Sequence, residues 1–222
     1  MNGRGMGEAL EFPLLLGRRE TKEKPSAVAV AGAEDEALVQ SVAEGSDAAF
    51  EALFERYRDR VFQFVLWQLG AGRDLAEELT QEVFFQLYLS ASTFRHRSRF
   101  RTWLYSLARN VCRHYERKHR RESGALRWGE DNEAPVLSDG GRSDALERLT
   151  AAEDRARVRQ AVAALPREQR AALLLRDWEE LSYQEIAAVL DIPVGTVRSR
   201  LHNARCALAH TLSARKEDRC GL

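Results

Sequence analysis

Residues 182–205 read SYQEIAAVLDIPVGTVRSRLHNAR, and this stretch decides the reading of the chain. Ser182 and Glu185 form an S-x-x-E pair, in which each side chain can satisfy a backbone N–H left free at a helix start. Ile186, Ala187 and Leu190 then give that helix a packing face, with Ala187 small enough for a neighbouring helix to come close. Asp191 to Pro193 break the chain, with Asp191 where glycine is frequent in such turns. A second helix follows, turning Val197, Leu201 and Leu208 inward. Two short helices, a tight turn and a small contact residue describe a helix-turn-helix. The outer positions of the second helix are Thr196, Arg198, Ser199, Arg200, His202, Asn203 and Arg205. Arginine can hold a guanine edge through two donors and asparagine can do the same for adenine, so this helix suits a DNA major groove.

A second constellation lies upstream, in STFRHRSRFRTWLYSLARNVCRHYERKHRR, residues 92–121. Arg101, Tyr105, Arg109, Arg113 and Arg117 recur every four residues and form a stripe that winds slowly around a helix. Trp103, His114 and Tyr115 lie among them, and Phe94 and Phe100 flank the loop before. Cations neutralise phosphates and aromatic faces stack on unpaired bases, so the segment suits single-stranded nucleic acid. Some of these rings must serve the core, and Tyr115 and Trp103 are the expected ones.

Net charge hides both segments, because Lys plus Arg and Asp plus Glu each total 34. Between Arg95 and Arg121, however, ten basic residues face one acid, Glu116, and Ile192 to Lys216 contains no acid at all. That asymmetry marks nucleic-acid surfaces that a sum conceals. The three cysteines, Cys112, Cys206 and Cys220, form no CxxC pair, which excludes a disulfide framework or a zinc site and fits a reducing cytoplasm. Cys112 and Cys206 fall in helical patterns and are expected to be buried or half-buried. Leu14 to Leu16 is too short to cross a bilayer, so no membrane contact of its own is expected.

Helical periodicity runs through the rest, and no strand-like alternation interrupts it. Residues 1–33 lack periodicity and are expected to be a disordered tail. A short helix is expected over residues 34–44, a longer one from Ser46 or Asp47 to Gly70, a third over 74–89 and a fourth over 100–120. Residues 122–143 dissolve into Gly, Asp, Asn, Pro and Ser, the composition of a flexible linker. Helical pattern resumes at 144–165, continues from Pro166 to Trp178, and ends with the two helices over 183–190 and 194–210. The expected fold is all-α, with two small helical domains at 34–121 and 144–215 and a C-terminal tail at 216–222.

In AAFEALFERYRDRVFQFV (48–65), RDLAEELTQEVFFQLY (73–88), FRTWLYSLARNVCRHYERKHRR (100–121) and LPREQRAALLLRDWEELSYQEIAAVLDIPVGTVRSRLHNARCAL (165–208), the chain resembles the extracytoplasmic-function (ECF) RNA polymerase sigma factors. The resemblance covers about residues 35–212. It implies a region-two helical bundle, a region-four helix-turn-helix domain, and a non-enzymatic protein without cofactor or metal that directs initiation at a stress- or signal-specific regulon. Glu77, Glu78, Leu79, Gln81 and Glu82 would grip the β′ clamp helices of core RNA polymerase, and region four would meet the β flap. Arg95, His96, Arg97, Ser98 and Arg99 would pocket a flipped base of the minus-ten element. Arg101, Tyr105, Arg109, Asn110 and Arg113 would hold adjacent single-stranded DNA. Thr196, Arg198, Ser199, Arg200, His202, Asn203 and Arg205 would read the minus-thirty-five duplex. An anti-sigma factor is a further partner that the family suggests.

An ordinary DNA-binding regulator would share the helix-turn-helix but would need a dimerisation or sensing domain where residues 35–121 carry basic and aromatic residues. An enzyme would need a phosphate loop, metal spacing or nucleophile–base pair that the sequence does not offer. The polar linker yields a direct test. Limited proteolysis of the free protein should cut first within residues 122–143, leaving two helical fragments.

Overall fold

The protein is described here by a computed structural model that covers residues 34–95, 98–119 and 157–217. Among these every regular element is helical. The N-terminal tail, the linker 122–143, His96 and Arg97 lie outside the described residues.

The first lobe holds α1 (Asp35–Ala43), α2 (Asp47–Leu69), α3 (Arg73–Ser90), a 3-10 turn at Ala91–Thr93, and α4 (Phe100–His119). Gly45 at φ 93° separates α1 from α2, a backbone conformation that costs glycine little. Ser46 rather than Asp47 caps α2, its hydroxyl accepting from the Ala49 N–H at 3.3 Å. Phe54 and Phe84 meet edge to face at 4.9 Å, joining α2 to α3. Two acids of α1 tie the lobe together. Asp35 accepts from both Arg56 and the Tyr57 hydroxyl, and Glu36 accepts from the Phe100 N–H at 2.9 Å. Glu36 therefore satisfies one of the free donors at the start of α4, a role its sequence position did not reveal.

The second lobe holds residues 157–164 (α5), α6 (Arg167–Leu173), α7 (Tyr183–Leu190) and α8 (Val194–Glu217). Pro166 stands just before α6 rather than in its first turn, and its carbonyl accepts from Gln169 and Arg170 at 2.9 Å each. The single helix expected from Pro166 to Trp178 changes character at Leu174, where a π-helical turn runs to Trp178. Its wider ring is closed by the Glu179 N–H on the Leu174 carbonyl at 3.2 Å. The Ser182–Glu185 capping box forms as expected, at 3.3 and 2.8 Å. The turn between α7 and α8 needs a left-handed residue, and Asp191 supplies it at φ 52°. Short polar side chains tolerate that conformation better than branched ones, which explains how Asp191 replaces the usual glycine. Helix α8 runs seven residues beyond the expected His210.

The lobes are packed together, and one buried side chain does much of the joining. Arg170 is only 6% exposed. Its guanidinium donates to the carbonyls of Val162, Ala163 and Leu165, and to those of Trp67 and Gln68 at 3.2 and 3.1 Å. The last two are carbonyls at the C-terminal end of α2, which no intrahelical N–H can reach. Burial brings the guanidinium down to about 10, still charged at neutral pH. Beside it the Trp67 and Trp178 rings lie 4.9 Å apart, and Gln68 donates to the Arg167 carbonyl at 3.4 Å.

The cysteines divide. Cys112 is buried, and burial pushes its thiol well above the ordinary range, whereas Cys206 is exposed on the outer face of α8, contrary to the expectation of burial. Its position follows from the inward set Val197, Leu201 and Ala204, which leaves 206 on the far side.

Two stability outcomes are expected. Asp191→Gly should leave the melting temperature unchanged or higher, while Asp191→Val should cost about 1–2 kcal/mol. Arg170→Met should cost about 2–4 kcal/mol in urea unfolding, since it strands several buried carbonyls.

Candidate nucleic-acid interface

Helix α8 is fixed on its inner side by Val197, Leu201 and Ala204, each essentially buried. That face dictates what its other side offers. Arg198, Ser199, His202 and Asn203 are exposed, and Thr196 is half-buried. Ser199 donates to the Thr196 carbonyl at 3.0 Å, and the His202 ring lies 3.6 Å from the Cys206 sulfur. Arg200 and Arg205 flank this surface and are bound at home: Arg200 pairs with Glu168 of α6, and Arg205 with Asp177 of the π turn at 2.7 Å. The bond to Asp177 raises the pKa of Arg205 above its usual value. Both pairs are partly exposed, so each is worth little and can be exchanged for another anion.

On α4 the basic stripe splits. Asn110, Arg113, His114, Arg117 and Lys118 are exposed, and in the preceding loop so are Arg95, Ser98 and Arg99. Tyr105 departs from the expectation that it faces DNA. It is 0% exposed, with its ring 5.4 Å from Phe64, because the four-residue spacing carries position 105 into the core beside Leu104 and Ala108. Burial, followed by the Glu179 carboxylate beside it, pushes its phenol far above the usual range. Trp103 and Tyr115 pack against the core edge, as expected.

The remaining basic residues of α4 face the second lobe. Arg101 donates to Glu179, whose carboxylate also lies 3.1 Å from Arg60 of α2. Thr102 donates to Glu185 at 3.5 Å, and Arg99 approaches the same carboxylate at 3.9 Å. Burial alone would raise the pKa of Glu185, but the Ser182 hydrogen bonds and the charges of Arg99 and Arg101 outweigh it and lower it. Arg109 is lowered, first by burial and then by neighbouring Arg113, with Arg200 of α8 also close enough to act. Two side chains expected on separate DNA elements thus share one electrostatic neighbourhood. Neither Arg60 nor Glu179 was singled out from the sequence. Both sit in ordinary charged helical text, and only the folded contact distinguishes them.

On α3, Glu77 and Glu78 are exposed, and Gln81 and Glu82 are half-buried. Glu77 pairs with Arg73 at 2.9 Å, and Glu82 accepts from Gln86 at 2.7 Å. Leu79 is mostly buried, 7% exposed, and lines one side of the space between α3 and α4. An open groove of about 790 Å³ lies between α3 and α4. Glu78 and Glu82 stand on one wall and Asn110, His114 and Lys118 on the other. Among the described residues no cluster could hold a metal ion, and no helix is long and apolar enough to cross a membrane.

A helix-turn-helix whose outer face carries no acid, beside a bundle whose last helix is basic, defines a helical DNA-binding protein. Residues 53–122 match the model of Sigma-70 region 2, and residues 155–208 match that of Sigma-70 region 4. The ECF RNA polymerase sigma-E factor of Escherichia coli K12 is 36% identical over 183 residues, covering 78% of this chain and 92% of that protein. The RNA polymerase sigma-H factor of Pseudomonas aeruginosa is 34% identical over 185 residues, covering 81% and 94%. Two solved structures share the fold at 23% identity. CnrH in complex with the cytosolic domain of CnrY gives a TM-score of 0.61 and covers 81% of this chain and 97% of CnrH. The sigma factor RpoE in complex with the anti-sigma factor NepR, from Bartonella quintana, gives 0.57 and covers 74% and 96%. The chain belongs to the ECF RNA polymerase sigma factors. It is a non-enzymatic initiation factor of a family that binds RNA polymerase and promoter DNA, and it directs promoter-specific transcription initiation.

If the exposed face of α8 reads duplex DNA, Arg198→Ala should weaken promoter binding by about 1–3 kcal/mol. The loss should centre on one base position if Arg198 bonds a base edge, and fall on all sequences alike if it bonds phosphate. Anisotropy titrations on a set of single-base variants distinguish these outcomes, and no loss at all would remove α8 from the interface.

Proposed function

We propose that the first lobe, within residues 34–121, binds the β′ clamp helices of core polymerase and holds the opened minus-ten element, while the second, within 144–215, reads the minus-thirty-five duplex and meets the β flap. The carrying observation is the exposed polar face of α8 (Arg198, Ser199, His202, Asn203) on an otherwise sealed three-residue core. On α3, the exposed pair Glu77 and Glu78, with half-buried Gln81 and Glu82, supports a polar docking face for polymerase. The exposed Arg113 and Asn110, the half-buried Arg109 and the exposed loop residues Arg95, Ser98 and Arg99 support the strand-holding role. The work takes place in the cytoplasm on a signal-specific set of promoters, and an anti-sigma protein, of the kind bound to the Bartonella quintana RpoE, is the expected antagonist.

The two reading surfaces cannot serve one promoter while α4 packs on α7. Elements centred at minus ten and minus thirty-five lie about 25 steps apart, roughly 85 Å at about 3.4 Å per step. Residues 120–156 can span at most about 130 Å, so the chain is long enough for the lobes to part. Opening DNA costs roughly 1.4 kcal/mol per stacked step, more than one small basic face supplies alone.

The purified protein is therefore expected to leave promoter DNA closed, and to open it only with core enzyme, as permanganate reactivity of unpaired thymines reports. Glu78→Ala with Gln81→Ala should weaken core binding more than tenfold and leave duplex binding by the second lobe unchanged. Arg109→Ala with Arg113→Ala should spare core binding and block opening. Opening of the promoter by the protein alone, to the same extent, would overturn the proposal.

A further inference from the structure

The contact between the lobes contains a binding site whose present occupant is part of the chain itself. Arg60 from α2 and Arg101 from α4 bring their guanidinium groups to one point, and the anion between them is the Glu179 carboxylate. The distances are 3.1 and 3.4 Å, and Glu179 is only 5% exposed. That carboxylate comes from the second lobe, where the π turn and the left-handed residue Glu180 (φ 55°) project it toward the first. Among the described residues no first-lobe acid is paired with either arginine. The fit is also incomplete. Arg101 gives Glu179 one terminal nitrogen, while its Nε is buried without a hydrogen-bond partner. A planar guanidinium presents a fork of donors suited to an anion with several oxygens, and a single carboxylate oxygen uses only part of it.

We infer that Arg60 and Arg101 form a phosphodiester-binding pair for the opened promoter strand, which Glu179 fills as an internal substitute while the lobes are closed. The inference rests on the reading that α4 faces opened DNA, and it adds Arg60, on a different helix, to that surface. When the lobes part, Glu179 leaves with the second lobe and two converging cations lose their counter-charge. An anion is favoured in its place, because two converging guanidinium groups repel each other without a counter-charge between them. Arg113, exposed further along α4, belongs to the basic stripe that the same strand would follow, so its backbone is the phosphate at hand. Glu179 and the DNA then compete for one site. The closed form binds single strands weakly, and polymerase, by holding the lobes apart, would uncover the pair.

The test uses the full chain and a fluorescent single-stranded oligonucleotide carrying the non-template minus-ten sequence. Glu179→Gln keeps the shape and removes the charge; it should tighten binding of the free protein about tenfold. Adding Arg60→Ala to Glu179→Gln should erase that gain. In holoenzyme, Arg60→Ala should reduce promoter opening at least fivefold and lower the slope of log affinity against log salt by about 0.7–0.9, the signature of one lost phosphate contact. Arg113→Ala, assayed in parallel, reports on the strand-facing role of α4 itself. Unchanged affinity of Glu179→Gln, or a gain that survives Arg60→Ala, overturns the inference. Should Glu179→Gln fail to fold, as helicity by circular dichroism would reveal, the exposed Arg60→Ala in holoenzyme decides, and an unchanged salt slope there is fatal. A loss for Arg113→Ala with none for Arg60→Ala defeats this site alone. No loss for either defeats the site and the strand-facing reading together.

Discussion

A guanidinium taken out of water must find oxygen, and much of this molecule is arranged around that demand. Arg170 meets it with backbone carbonyls, two of them at the C-terminal end of α2 and three from the end of α5 and the turn after it. The donor fork and the orphaned acceptors satisfy one another, and in doing so they fix where the second lobe sits. Arg60 and Arg101 meet the same demand with a carboxylate. The difference matters. Carbonyls within the Arg170 cluster have no better partner to turn to, whereas a carboxylate facing two arginines can be exchanged for a phosphate.

The same logic governs α8. A face meant for DNA has to be free of acid, yet cations left alone on a small domain repel each other. Arg200 and Arg205 at its flanks borrow Glu168 and Asp177 from the neighbouring α6 and π turn. Arg198, Ser199, His202 and Asn203 at its centre remain open to solvent. Centre and flank thus differ in how readily they meet a nucleic acid: the centre is available at once, and the flank exchanges one anion for another.

What the sequence disclosed follows from how local each signal is. The capping box at Ser182 and Glu185, the break at Asp191–Pro193 and the inward set Val197 and Leu201 depend on neighbours within a few residues, and all are found where expected. Tyr105 failed because a period of four drifts around a helix of 3.6 residues per turn, so a stripe that begins outside can pass through the core. Leu79 is mostly buried for a related reason: apolar residues on a helix serve its own packing first. Glu36, Arg60, Arg170 and Glu179 were illegible, since each acts on a group 60 or more residues away. No spacing rule reaches that far. The exposure of Cys206 was within reach of the same periodicity that placed Ala204 inside.

The π turn at Leu174–Trp178 has a consequence for how this chain can change over generations. A π turn amounts to one residue more than an α-helix needs, so its removal heals the helix rather than breaking it. If one residue between 175 and 178 were lost, the Glu179 N–H would keep the Leu174 carbonyl as its partner, now four residues before it. The acid between Arg60 and Arg101 would hold its place, while side chains of the turn itself, such as the Asp177 partner of Arg205, would be the ones at risk. The turn can therefore shed a residue in one genetic step without disturbing the junction beside it.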